Sequence, residues 1–177
     1  MSDEQSGNEL LPGLANGQAD AWAQLYDRFG PRLFAVAYRI VRLQQDAEDV
    51  VQEVFMGLYR TRGSIRRVRD LSAYLFSSLR HAALRRAQRR ERRQVVPLPD
   101  VQPGPSQRAP LSAERAGELE AAVAALPVEQ RQVIALKIDG ELTFAQIGEV
   151  LGINPNTAAS RYRYALAKLH AALAEKE

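Results

Sequence analysis

Asp46-Ala47-Glu48-Asp49-Val50-Val51-Gln52-Glu53-Val54-Phe55 decides how the rest of the chain is read. Val50, Val51, Val54, Phe55 and Leu58 recur at helical spacings and form an apolar stripe. Asp46 is placed to cap the start of such a helix, and Asp49 lies where negative charge meets the positive end of its dipole. Asp49, Gln52, Glu53 and Met56 follow a neighbouring face at helical steps. The spacing predicts a helix over 46–60 with one apolar face for a core and one acidic face for something else. Phe55 falls between the two.

Composition bounds what that something can be. The chain has 177 residues, with hydrophobic residues at 46% and charged residues at 25%, which is globular rather than disordered. It has no cysteine, which excludes disulfides and thiolate metal sites and fits a reducing compartment. No apolar run approaches the ~20 residues of a membrane span, and the acidic, polar first residues do not read as a signal peptide. The net charge is only +3, but it is unevenly spread. Residues 1–60 hold 5 basic and 9 acidic groups, whereas residues 61–93 hold 11 arginines against Asp70 and Glu91. Residues 114–177 hold 7 basic and 9 acidic groups. One basic block in a near-neutral chain points to a polyanion at one place.

The periodic stretches along the chain are all helical, and predict an all-α fold of two small domains joined by a Pro-rich linker. Residues 1–9 read as a disordered N-terminus and residues 10–93 as a four-helix domain. In that domain Gly30-Pro31 punctuates two helices, residues 61–69 make a loop, and Asp70 caps a long helix to Arg93. Leu71, Tyr74, Leu75, Ser78, Leu79 and Leu84 form that helix's expected apolar stripe, with Phe76 a candidate for stacking on a base. Residues 94–113, carrying Pro97, Pro99, Pro103, Pro105 and Pro110, form the linker. At ~3.3–3.6 Å per residue it could let the domains reach well-separated sites. Residues 114–177 form the second domain.

That second domain carries the strongest local signal. Thr143 and Gln146 match a capping box, Gly152 ends a short helix, Asn154 caps the next, and Pro155 takes its first position. A short helix, a Gly turn and a second helix make a helix-turn-helix. Its outward positions are Asn156, Thr157, Ala159, Ser160, Arg161 and Arg163, polar groups and guanidiniums suited to a major groove. An ordinary helical hairpin is the plain alternative. The Arg-rich helix, with Arg80, Arg85, Arg86, Arg89, Arg90, Arg92 and Arg93, is a second nucleic-acid candidate against a merely solvated face. Asp46, Glu48, Asp49 and Glu53 could hold a divalent metal, but no histidine or phosphate loop accompanies them, so a docking face for a basic partner is the better reading.

Taken together, these elements resemble the bacterial RNA polymerase sigma factors of the extracytoplasmic-function group. Asp46 to Phe55 matches that group's D-A-E-D-x-x-Q-E-x-F motif at every defined position. Leu126-Pro127 with Arg131, Thr143 to Ile153, Thr157, Ser160-Arg161, and Ala165 with Leu169 match its promoter-binding domain. The resemblance implies that Asp46, Asp49, Gln52, Glu53 and Phe55 dock on the clamp helices of the polymerase largest subunit, with the flap as a further polymerase contact. It implies that Arg66, Arg67, Arg69, Arg80, His81, Arg85, Arg86 and Arg89 melt and read the −10 promoter element. It implies that Arg131, Asn156, Thr157, Ala159, Ser160, Arg161 and Arg163 serve the −35 element. An anti-sigma partner and a bacterial cytoplasmic location, on the nucleoid when in holoenzyme, come with the family. So do the absence of a cofactor, a small-molecule substrate, a catalytic or metal site, membrane insertion and enzymatic activity. The family's usual W-L and R-N pairs are Tyr74-Leu75 and Arg80-His81 here, and its T-V-K-S-R reads Thr157-Ala158-Ala159-Ser160-Arg161.

Overall fold

The apolar stripes become packed helices in the computed structural model, which describes residues 7–93 and 113–174. After a 3-10 turn at Asn8–Leu10, the first half runs through α1 (Leu11–Ala15), α2 (Ala19–Val41) and α3 (Gln44–Arg60). A 3-10 stretch at Arg62–Arg67 then leads to α4 (Leu71–Arg93). The second half runs through α5 (Ala113–Ala125), α6 (Val128–Ile134) with a π turn at Ala135–Asp139, α7 (Phe144–Leu151) and α8 (Pro155–Ala174). No strand occurs among the described residues, as the helical periodicity predicts.

Several local expectations are corrected by packing. Gly30-Pro31 does not separate two helices; Pro31 lies inside the continuous α2. An interior proline costs a helix about 3 kcal/mol. Leu25, Phe29 and Leu33, all fully buried on the stripe that crosses it, contribute roughly 1.5–3 kcal/mol each. Gly30 also lacks the Cβ that would meet the proline ring. Helix α3 starts at Gln44 with Leu43 as its cap residue, so Asp46 sits in the first turn and acts on the dipole instead. Asp70 does cap α4, its Oδ1 accepting from the Ala73 amide at 2.8 Å. Asn8 supplies a second cap from the far end of the half: its Oδ1 accepts from the Leu71 amide at 3.0 Å while its Nδ2 donates to the Arg69 carbonyl. Gly7 to Glu9 therefore have defined structure, whereas the sequence suggested a disordered end.

In the second half the capping box is present, with Thr143 Oγ1 accepting from the Gln146 amide and Gln146 Oε1 accepting from the Thr143 amide. Gly152 closes α7 at φ 66°, where a side chain would be strained. A Cβ at Gly148 would lie 2.7 Å from the Ile153 carbonyl, so the α7–α8 turn needs glycine there too. Asn154 Oδ1 accepts from the Asn156 amide at the start of α8. The helix-turn-helix is thus built as its sequence spells it.

The two halves pack on each other. Leu136, Leu142, Ile147, Val150 and Ala158 join the same buried cluster as Leu25, Phe29, Leu75 and Phe76. Helix α4 lies against α7, and α2 lies against the π turn. A smaller cluster of Val123, Leu126, Ile134, Ala165 and Leu169 remains within the second half. Residues 94–112 of the proline linker fall outside the described residues, and Ala113, its last residue by sequence, begins α5. The seam also swaps two aromatic roles. Phe76, a candidate for base stacking, is fully buried, and Tyr74, expected in the core, is 39% exposed. Helix α4 is covered on two sides, by the first half and by α7, so its buried stripe turns toward Phe76.

Candidate functional site

Helix α3 offers its acidic residues to three different environments. Its apolar side is spent on the core, with Val50, Val51, Val54 and Leu58 buried. Asp46 is turned inward, only 16% exposed, between the guanidiniums of Arg86 and Arg90. Asp49 is 45% exposed and Glu53 is 58% exposed. Gln52 is exposed and Phe55 half-buried. Phe55 packs on Tyr26 with ring centroids 5.3 Å apart, and the two edge a groove of about 750 Å³ lined also by Pro31, Phe34, Asp49 and Gln52. Tyr26 and Met56, which line it, are exposed. The α3 face is therefore acidic at one edge and aromatic at the other. The aromatic edge was not singled out from the sequence, because Tyr26 reads there as one more member of a helical stripe.

The arginines of α4 are not all directed at solvent. Arg86 donates from Nε to Asp46 Oδ1 at 2.7 Å and from Nη2 to Asp49 Oδ2 at 2.6 Å. The hydrogen bond to Asp46 holds the Arg86 guanidinium above its usual value, with burial opposing and the charges of Asp46 and Asp49 adding to the rise. Arg85 donates to Glu53 at 2.9 Å. Arg89 and His81 are exposed, and Arg80 is half-buried. Arg66, Arg67 and Arg69 are exposed on the 3-10 stretch and the turn after it, with Arg66 donating to the Asn16 side chain. A cleft of about 490 Å³ opens there, lined by Thr61, Ser64, Arg67, Arg69 and Tyr74, with Glu149 of α7 at its edge. The structure therefore brings Arg67, Arg69 and Tyr74 together at one opening.

On α8, Asn156, Thr157 and Arg163 are exposed and Ala159, Ser160 and Arg161 half-buried. Ser160 Oγ donates to the Asn156 carbonyl. Arg131 stands apart from this row; its Nη1 donates to the Ala124 carbonyl at 2.7 Å and closes the end of α5. Between the halves, Arg39 donates to Glu120 at 2.7 Å and to Asp139 at 3.2 Å, and Arg42 donates to Glu120 at 2.9 Å. Burial pulls the Arg39 guanidinium down, but Asp139 and Glu120 outweigh it and hold it above its usual value. Arg32 donates to the Gly140 carbonyl, and Gln146 Nε2 donates to Asp70 Oδ2 at 2.9 Å. None of these bridges between the halves was predicted, since no local pattern marks them.

Among the described residues, no group of three His, Cys, Asp or Glu side chains is arranged to hold a metal ion. No described helix is long and apolar enough to cross a membrane.

Comparison with known proteins gives this arrangement its place. Residues 25–93 match the sigma-70 region 2 family, and residues 116–169 match sigma-70 region 4. The chain is 32% identical over 173 residues to the ECF RNA polymerase sigma factor SigM of Mycobacterium tuberculosis, covering 94% of this chain and 84% of that one. It is 26% identical to the ECF RNA polymerase sigma factor SigW of Bacillus subtilis, covering 84% and 86%. Among solved structures, CnrH in complex with the cytosolic domain of CnrY superimposes with a TM-score of 0.69 at 22% identity, over 97% of this chain and 99% of that one. The sigma factor RpoE of Bartonella quintana, in complex with the anti-sigma factor NepR, gives 0.71 at 24% identity, over 85% and 95%. With both sigma regions in order on one all-α chain, this protein belongs to the extracytoplasmic-function group of RNA polymerase sigma factors.

Proposed function

We propose that the chain is a promoter-specificity subunit that binds core RNA polymerase, recognises promoter DNA at two elements and opens the −10 element for initiation. The observation that carries this is the outward α3 face, acidic at Asp49 and Glu53 and aromatic at Phe55 and Tyr26, on the same body as an Arg-bearing helix and a helix-turn-helix. Residues 10–93 act as the core- and −10-binding module and residues 114–177 as the −35 module, joined by residues 94–113. Asp49, Gln52, Glu53 and Phe55 meet the clamp helices. Asp46 supports them from below.

The cleft at Arg67, Arg69 and Tyr74 receives an unpaired −10 base, and the exposed Arg66, His81 and Arg89 follow the strand. Trapping such bases offsets the few kcal/mol that unstacking costs. Asn156, Thr157, Ser160, Arg161 and Arg163 enter the −35 major groove. The second half is net negative by sequence and would bind DNA weakly alone, but a polymerase that holds the first half on the promoter raises its effective concentration. The protein acts by binding and not by catalysis, in the bacterial cytoplasm and on the nucleoid when assembled. An anti-sigma factor, as RpoE has in NepR, is its inhibitory partner.

Pull-down with core polymerase and run-off transcription test the reading. Asp49→Arg with Glu53→Arg should remove both core binding and promoter-dependent product, and full retention of both would overturn the face assignment. Arg161→Ala should weaken −35 binding and spare core binding; equal loss of the two would contradict the division into modules.

A further inference from the structure

The acidic face of α3 and the arginines of α4 are not independent surfaces. Asp46, Asp49 and Glu53 are spaced along one side of α3, and Arg90, Arg86 and Arg85 reach them from α4. Arg86 differs from Arg85 in bonding two carboxylates at once. Its Nε meets the inward Asp46, and its Nη2 meets Asp49. Both bonds are charge-assisted and short, the strong class of hydrogen bond. Arg85, by contrast, makes one bond to Glu53, and both partners are more than half exposed. Exposed pairs of that kind are easily exchanged. A phosphate would have to displace two carboxylates from Arg86, one of them shielded from water, but only one exposed carboxylate from Arg85.

We propose that Arg86 is a positioning residue of the polymerase-binding face: it fixes the Asp49 carboxylate for the polymerase and makes no contact with DNA. The inference rests on the assignment of the α3 face made above. Asp46 is the anchor in this arrangement. Set low in the first turn of α3, it holds the guanidinium so that the fork's other arm meets Asp49 one turn later. Asp49 remains nearly half exposed, so its carboxylate is held and still presented. A planar fork can span both carboxylates; a lysine ammonium, a single point of charge, cannot do so in the same geometry. A side chain preset in its bound rotamer loses less entropy when the partner arrives.

The test is a double-mutant cycle in full-length protein, read as affinity for core polymerase, with Asp49→Asn, Arg86→Gln and the pair. Arg86→Gln should weaken core binding about tenfold in the native background and far less beside Asp49→Asn, because the residue acts through that carboxylate. Arg86→Lys should keep the Asp46 pair, and so a near-native melting temperature, yet show most of the affinity loss. The salt dependence of promoter binding by holoenzyme, measured with core in excess, should keep its slope. Equal loss in both backgrounds, or rescue of core binding by lysine, would mean a merely structural role and overturn the proposal. So would native core binding combined with a salt slope reduced by about 1, the mark of a lost phosphate contact. If Asp49→Arg itself leaves core binding intact, the face assignment fails and takes the proposal with it. A loss with Asp49→Arg but none with Arg86→Gln removes the proposal alone.

Discussion

Two clusters of arginines and carboxylates use the same chemistry to different ends. In the first, Arg85 and Arg86 meet Asp46, Asp49 and Glu53 across 32 to 40 residues of sequence, within the first half. In the second, Arg39 and Arg42 meet Glu120 and Asp139 across 78 to 100 residues, and join the halves. The first cluster lies at the rim of a face and orders what the face presents. The second lies over a seam whose interior is apolar. The −10 and −35 elements are separated along the duplex by roughly 85 Å, at about 3.4 Å per base pair. In the function proposed above the two halves serve both elements, a span that calls for the halves to part. On that proposal the first cluster persists in the working complex, while the second breaks to form it. Ion pairs suit both tasks, because partly exposed pairs give orientation without much stability.

The largest effect should come from the seam's interior. Phe76 is fully buried, carries the Arg32 guanidinium over its ring at 5.6 Å, and lies close to Gly140 of the second half. Phe76→Ala should cost about 3–5 kcal/mol in denaturant unfolding, the usual range for a buried aromatic. Met56→Ala on the α3 face, 47% exposed, should change stability by no more than about 0.5 kcal/mol. A loss below ~1 kcal/mol for Phe76→Ala would mean that the seam is not part of the cooperative fold.

That contrast also marks how far the sequence could be read. The helices, the capping box at Thr143 and the α3 face are set by residues within a few positions of each other, so periodicity finds them. Phe76 and Tyr74 exchange their expected roles because the sequence pattern of α4 shows only the first domain's contacts. The partner that buries Phe76 lies about 65–75 residues further along the chain and has no local signature. Pro31 was read as a break because the rule for proline is local and the packing that overrides it is not. The acidic cluster and the family motif place Asp46 beside Asp49, yet a difference of one turn sends one to an arginine pair and leaves the other half exposed. In the same way Arg131 matched a motif, while its guanidinium is engaged with the Ala124 carbonyl.

A middle-sized effect should separate the capping box from the bridge it supports. Gln146 is 5% exposed and does both jobs, accepting from the Thr143 amide and donating to Asp70 Oδ2. Gln146→Glu keeps the acceptor that the cap requires, since either residue serves at this position. It also replaces the donor with a carboxylate facing Asp70. We expect a loss of about 1–3 kcal/mol in thermal or denaturant unfolding, the cost of leaving a buried polar partner unmade. If Gln146→Glu is as stable as the native protein, only the cap matters and the bridge to Asp70 adds nothing.

The smallest effect on stability should carry the most direct information about the two clusters. Glu120 and Glu53 are single carboxylates, one at the seam and one at the face, and each can be made neutral without changing shape. Glu120 is 30% exposed and is shared by Arg39 and Arg42; Glu53 is 58% exposed and meets Arg85. Either change to Gln should cost at most about 1 kcal/mol. Their other consequences should diverge. Glu120→Gln leaves two arginines at the seam with a weaker partner, so the free protein should shift toward separated halves. Small-angle scattering would read this as a larger radius of gyration, and salt should enlarge it further in the native protein as well, by screening the same pairs. Glu53→Gln should leave the radius unchanged and weaken core binding. If the radius is insensitive to both Glu120→Gln and salt, the apolar core around Phe76, Leu142 and Ile147 holds the halves together by itself. The ion pairs at the seam would then set only the orientation in which the halves meet, which is the task the α3 cluster performs at its face.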